Sequence, residues 1–172
     1  NKCGLNVNKL NPLNIDILSI IYGSLLGESY VEKFKQDKGS RISFYQENTH
    51  TDYLLYLHNK ISNLGYCNEN IPKIFTKLGK KGKIRKVIKF NTFTYENFNI
   101  IYDEWYKDNK KIIPKSLEKY LTPLALSIWI MDYNTKSSKG LKLGTNLFKY
   151  DEVLFLIEIL YKKYKLKASI KN

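Results

Sequence analysis

Ile20-Ile21-Tyr22-Gly23-Ser24-Leu25-Leu26-Gly27-Glu28-Ser29-Tyr30 and, far downstream, Leu124-Ala125-Leu126-Ser127-Ile128-Trp129-Ile130-Met131-Asp132-Tyr133 are two versions of one pattern. Each is a short apolar run that closes on an acid. The runs they belong to, Ile15–Gly27 and Leu121–Met131, fall short of the roughly 18 to 20 residues that a membrane span needs. They read instead as buried helices. In the first, Ser19, Gly23, Ser24 and Gly27 are small. Gly23 and Gly27 stack on one helix face and permit close backbone contact with another element. Asn14 or Asp16 can cap its start, and Pro123 opens the second helix.

The flanks of these runs repeat as well. After the first, Tyr30–Phe34 and Arg41–Gln46 alternate apolar and polar residues around Asp37-Lys38-Gly39-Ser40, the signature of a hairpin. Leu54, Leu57, Ile61 and Leu64 then recur at helical spacing over Thr51–Leu64, which Gly65 ends. Lys73–Leu78 and Ile84–Asn91 form a second hairpin around Gly79-Lys80-Lys81-Gly82. Tyr95–Trp105 is a further helix with Phe98, Ile101, Tyr102 and Trp105 on one face. Lys107–Lys111 is a polar linker. The order then begins again: the helix from Pro123 to Asp132, a weak strand pair within Asn134–Asn146, an amphipathic helix Tyr150–Tyr164, and a strand starting at Leu166–Ile170. The second copy stops one strand into its second hairpin. A complete repeat would need roughly 30 to 50 more residues, so the second copy reads as truncated. The expected layout is an arm at 1–13, a first half-domain at 14–111 and a second at 112–172.

A domain built twice, each copy opening with a close-packed helix that ends in an acid, resembles the LAGLIDADG homing endonucleases. The stretch Asn109-Lys110-Lys111-Ile112-Ile113-Pro114, continuing to Tyr120-Leu121-Thr122-Pro123, resembles the segment before the second motif in the omega-type subgroup, which mitochondrial introns encode. The resemblance covers about residues 15–172. It implies an α+β fold of two pseudo-symmetric αββαββα repeats with antiparallel, saddle-shaped sheets. The motif helices would pack together at the centre and deliver one carboxylate each to the saddle floor. The sheets would lie in a major groove, where base edges are most distinct. Paired carboxylates would hold Mg²⁺ for phosphodiester hydrolysis.

The same resemblance makes the acid positions doubtful. The first falls on Glu28, one methylene longer than the usual Asp. Counting from Leu121-Thr122-Pro123, the second falls on Tyr133, and a neutral phenol is a poor Mg²⁺ ligand. Asp132 lies one residue earlier, a rotation of about 100° on a helix. It is expected to point away from the site unless the helix end slips. Lys111 matches a lysine that these enzymes place beside the active centre, where a cation can stabilise phosphate charge; otherwise it is a solvated linker residue. Glu28, Asp132 and Lys111 are thus the catalytic candidates, and Glu28 and Asp132 the metal ligands if the protein cuts.

Charge points to a polyanionic partner. The chain has 29 Lys and Arg against 16 Asp and Glu, a net +13, which favours nucleic acid through counterion release. Drift in an AT-rich genome also raises Lys, but it does not explain clustering. Between Pro72 and Phe90 stand Lys73, Lys77, Lys80, Lys81, Lys83, Arg85, Lys86 and Lys89, with no acid. Lys83, Arg85 and Lys89 share one strand face. Lys136, Lys139 and Lys142 would be the matching row of the second half. The excess of Lys over Arg favours phosphate contact over guanine readout. Phe98, Trp105, Trp129, Phe148 and Phe155 fall at core spacing. Cys3 and Cys67 form no CxxC pair, and His50 and His58 read as structural or solvent-facing, so a zinc site is not expected.

Three readings follow. One is a catalytically degenerate LAGLIDADG protein kept for binding structured RNA, as a group I intron maturase or a mitochondrial ribosome component, with no cofactor. The second is a working Mg²⁺-dependent endonuclease on duplex DNA. The third is a decaying product with no retained role. The first two place a monomer in the mitochondrial matrix, away from membranes.

Overall fold

The computed structural model describes residues 13–47, 51–132, 135–137, 140–145 and 147–171. Helix α1 (Ile15–Leu25) starts where Asn14 Oδ1 accepts a hydrogen bond from the Ile17 amide at 3.0 Å, satisfying one of the orphan donors of the first turn. Strands β1 (Tyr30–Lys33) and β2 (Ser40–Glu47) form the first hairpin, followed by α2 (Thr51–Asn63), and β3 (Ile74–Leu78) and β4 (Ile84–Asn91) form the second. The four strands make one antiparallel sheet in the order β1-β2-β4-β3. One face of the sheet carries Val31, Ile42, Phe44, Ile88 and Phe90, all buried. The stacked rings of Phe44 and Phe90 lie 4.8 Å apart. Helix α2 covers this face with Leu54, Leu57 and Ile61. His58 belongs to the same layer: its ring meets Phe90 edge-on, and its Nε2 lies 2.7 Å from the Asn68 carbonyl. It is a packed core histidine. Burial pushes the thiol of neighbouring Cys67 up to about 11.

The segment expected as one helix over Tyr95–Trp105 is a short 3-10 turn followed by α3 (Asn99–Trp105). The expected linker is ordered. Tyr106–Lys107 (β5) pairs with Lys110–Lys111 (β6), and Asp108 and Asn109 take left-handed φ values of 51° and 59° between them. Asp and Asn are the side chains that best tolerate this region, so the ribbon turns tightly. Helix α4 (Leu117–Tyr120), not anticipated from the sequence, fills the anchor segment before α5 (Pro123–Asp132). The weak strand pair is β7 (Thr135–Ser137) with β8 (Gly140–Lys142), and α6 spans Tyr150–Tyr164 as its periodicity predicts. Leu166–Ile170, expected as a strand, has no regular structure. An alternation over so few residues stabilises a strand only when a neighbour completes its hydrogen bonds, and among the described residues none does. Tyr133, Asn134, Lys139, Asn146, His50 and Cys3 lie outside the described residues.

Trp105, Trp129 and Phe98 are buried, and Phe148 and Phe155 pack against the same core. They are packing residues. The cluster also takes in α1, α5 and α6, so one apolar core spans both copies of the repeat. No helix among the described residues is long and apolar enough to cross a membrane.

Candidate nucleic-acid interface and carboxylate site

The site is built on the crossing of α1 and α5. Gly23 lies against the backbone of Ala125: a Cβ there would overlap the Ala125 carbonyl oxygen and stand 3.0 Å from its Cα. The close approach lets side chains bridge the lower ends of the pair. Thr122 Oγ1 donates to Ser19 Oγ at 2.7 Å, and from α2 the Tyr53 hydroxyl donates to the Ile128 carbonyl of α5 at 3.2 Å. One turn above Gly23, Gly27 performs the same service for a side chain. A Cβ at Gly27 would overlap Asp132 Oδ2 and lie 2.8 Å from its Cγ. The carboxylate of Asp132 therefore rests on the backbone at the end of α1.

This corrects the expectation that Asp132 points away. Counting residues along α5 fixes a rotation but not the crossing. Here α5 runs through Asp132 and crosses α1 so closely that the acid one place earlier meets the missing side chain of Gly27. Asp132 Oδ2 is fully buried and has no hydrogen-bond partner. Burial, and then the Glu28 charge, push the Asp132 carboxyl up to about 8; Lys111 and the Glu28 backbone amide pull weakly the other way. Glu28 itself is exposed. Its carboxyl is raised by partial burial and by Glu47, against the pull of Lys111, Arg85 and Lys77. Desolvation and like charge both oppose ionisation, so the two acids favour a state in which they are not both charged.

Lys111 is the third member. Its Nζ donates to the carbonyl oxygens of Leu25 (3.0 Å), Gly27 (3.2 Å) and Ser29 (2.5 Å). The Leu25 carbonyl ends α1, where helical carbonyls lack partners, and Gly27 and Ser29 lie in the turn from α1 to β1. Burial lowers the Lys111 ammonium to about 8, although Asp132 and Glu28 favour its charged form. Lys111 is neither a solvated linker residue nor free to reach a phosphate, since an ammonium has only three donors.

The saddle face is the side of the sheet away from Phe44 and Phe90. Alternation places Tyr30, Arg41, Tyr45, Glu47, Lys77, Arg85 and Lys89 there, and the register sets Lys77 opposite Arg85 and Tyr45 opposite Lys89. Lys89 donates to the Tyr30 hydroxyl at 2.6 Å, and Arg41 pairs with Glu32 at 2.5 Å. Lys73, Lys80, Lys81, Lys83 and Lys86 are exposed and make no ion pair among the described residues. Lys86 lies on the opposite side of β4 from Arg85, and Lys80 and Lys81 occupy the hairpin turn. Lys142 is exposed at the end of β8. The side chain of Lys136, like Lys139, lies outside the described residues.

Glu47 was not legible in the sequence. It lies well before the basic stretch, but the strand order places β2 beside β4 and Glu47 opposite Val87. Arg85 pairs with it at 2.9 Å and Lys77 at 3.8 Å, and the Tyr45 hydroxyl donates to it at 2.6 Å. Those bonds hold its carboxyl below the usual range. Alternation along Arg41–Glu47 was the available signal, once the sheet order is known. Two cations of the basic hairpin are thus restrained by one acid. Glu47→Gln is expected to release them and tighten nucleic-acid binding about fivefold at low salt. A titration in which Glu47→Gln binds no better than wild type would show that the pair is already broken by the ligand.

A sequence profile of the LAGLIDADG DNA endonuclease family matches residues 18–172. The chain belongs to this family. Among its relatives, the cytochrome b mRNA maturase bI2 of Saccharomyces cerevisiae is 56% identical over 99% of the chain. Its counterpart of the same name in Debaryomyces hansenii is 51% identical over 96%. The chain spans 41% and 63% of the length of these two relatives. The solved structure of the homing endonuclease I-WcaI bound to its DNA recognition sequence superposes with a TM-score of 0.79 at 25% identity, covering 99% of this chain and 82% of that one. The α+β LAGLIDADG architecture, with its motif helices and open antiparallel sheet, is therefore the fold of this protein.

The family implies a divalent ion between the motif acids. The residues present here do not fit one in this arrangement. The free oxygen of Asp132 is sealed against Gly27. Its carboxyl holds a proton near neutrality, whereas Mg²⁺ takes ionised oxygen ligands and keeps several waters. The carbonyl oxygens on the floor are committed to the Lys111 ammonium, and a second cation beside it would be repelled.

Proposed function

We propose that this LAGLIDADG protein is an RNA-binding intron maturase of the mitochondrial matrix, acting as a monomer on a structured group I intron and not as a cutting enzyme. The observation that carries this reading is the pairing of an intact basic hairpin with carbonyl oxygens beside Glu28 that Lys111 has already taken. The similarity to two cytochrome b mRNA maturases supports it. An RNA helix offers phosphates and shape more than readable base edges, which suits a surface richer in Lys than Arg.

Binding to intron RNA should be steeply salt-dependent. Neutralising Lys80, Lys81 and Lys83 together should flatten the log K against log salt slope by about 0.7 to 0.9 for each lysine that touches phosphate. Equal loss for RNA and for a neutral polymer would rule out phosphate contact. The decisive assay sets precursor RNA against duplex DNA. Acceleration of splicing without DNA cleavage is the expected result. Mg²⁺-dependent nicking that Glu28→Gln abolishes would overturn it.

The second reading is a DNA endonuclease that holds Mg²⁺ on Glu28 and Asp132. The likeness to a DNA-bound homing endonuclease favours it. Recruitment to the mitochondrial ribosome is separated from the maturase role by what co-purifies: ribosomal RNA or intron RNA.

A further inference from the structure

We infer that Lys111 is a built-in cation, seated where a divalent ion would have to bind, and that it positions the Glu28 turn and closes the saddle floor without touching nucleic acid. Three observations carry this. First, the ammonium is saturated: the carbonyls of Leu25, Gly27 and Ser29 take its three donors. A lysine spent in this way has no N–H left for a phosphate. Second, the seat lies at the C-terminal end of α1, where aligned peptide dipoles leave partial negative charge. Two acids, Glu28 and Asp132, lie within electrostatic reach of the same ammonium. Three carbonyl oxygens converging on one point, with two acids nearby, are oxygen donors of the kind a hard cation takes. Third, the residue is delivered from outside the helix pair. Asp108 and Asn109 turn the β5–β6 ribbon, and the Ile112 amide donates to the Trp105 carbonyl at 2.7 Å. The ribbon is thus held to α3, and Lys111 reaches across from it.

Lys111 is on this account a positioning residue. It ties Gly27 and Ser29, the neighbours of Glu28, to the start of the second half of the chain. The inference goes beyond the maturase reading and does not depend on which nucleic acid binds.

The test is thermal unfolding and terbium luminescence on the full chain. Tb³⁺ takes the same oxygen donors as a divalent ion, and Tyr53, which lies within electrostatic reach of Asp132, can sensitise it. Wild type should show no Mg²⁺-dependent rise in Tm and no Tb³⁺ signal sensitive to Asp132→Asn. Lys111→Met keeps the stem and removes the charge. It should melt lower, regain most of the loss in millimolar Mg²⁺, and acquire a Tb³⁺ signal that Asp132→Asn abolishes. A purely structural lysine would give the loss without the metal rescue, and that outcome overturns the inference. A wild type that already binds Tb³⁺ in an Asp132-dependent way also overturns it, whether or not Lys111→Met folds. RNA affinity of the folded Lys111→Met variant in Mg²⁺ should match wild type. A drop in its salt slope by one contact would show that Lys111 reaches phosphate after all.

Discussion

Gly23→Ala should destabilise this protein, although helix propensity alone predicts the reverse. An Ala in place of Gly inside a helix is worth about 1 kcal/mol of intrinsic preference. At Gly23 that gain is overwhelmed. The added Cβ would overlap the Ala125 carbonyl oxygen, with Ala125 Cα at 3.0 Å and its carbonyl carbon at 3.1 Å. These are backbone atoms of a packed helix and cannot swing aside as a side-chain end can. Overpacking of a rigid core costs about 1 to 3 kcal/mol even when side chains yield. Here two helices must separate, and the bridge from Thr122 to Ser19 loosens with them. A net loss of about 2 kcal/mol is expected, or about 4 to 8 °C in Tm for a chain of this size. Gly23→Val should be worse, by about 2 kcal/mol more. Ser127→Ala, on the exposed side of α5, is the control and should change stability by less than about 0.5 kcal/mol. A Gly23→Ala variant that melts at or above wild type would show that the spine can open freely.

The pH dependence of stability should have a trough near pH 8, and Asp132→Asn should remove its acid side. The sign follows from proton counts. An unfolded Asp releases its proton near about pH 3.9; folded Asp132 keeps it to about 8. Between these values the native state holds the extra proton, so stability is full below the lower value and falls as pH rises toward 8. Lys111 works in the opposite direction. Its folded pKa is lowered to about 8, and an unfolded lysine titrates near about 10.4. From 8 upward the native state holds fewer protons, and stability climbs again. Each group can contribute a slope of about 1.4 kcal/mol per pH unit at most. Glu28, also raised, adds to the descending limb. Urea midpoints at about pH 5 and about pH 8 should differ clearly for wild type and much less for Asp132→Asn. Equal pH dependence in the two proteins would mean that Asp132 is ionised in the folded state.

The parts of the fold with strong local periodicity were legible from residues alone. Helix α6 holds the range its apolar spacing marks, and both hairpins of the first half fall where alternation and turn residues place them. Asn14 caps α1 because a capping side chain acts over three residues, a range sequence can see. What depends on three-dimensional crossing was not legible. The placement of Asp132 turns on how closely α5 approaches α1 at Gly23, and no count along one helix contains that distance. Glu47 enters the basic face only because β2 lies next to β4. By composition alone Lys111 reads as a linker residue, and only the family resemblance sets it beside the active centre; its contacts depend on the ribbon that Asp108 and Asn109 turn toward α1. Leu166–Ile170 shows the limit in the other direction: an alternating run is a strand only in company.

The contact of Gly23 with Ala125 also limits how this protein can be rebuilt. Where two half-domains meet through large side chains, either half can be exchanged and the seam repacked by choosing new side chains. Here the closest point of the seam, Gly23 on Ala125, is main chain on main chain, and no choice of side chain repacks it. A chimera that joins the first half of this chain to the second half of a relative inherits a spacing requirement from each parent, and both must be equally small. Shuffled halves should therefore succeed only when α1 and α5 are carried over together as one unit, with the break placed outside the pair.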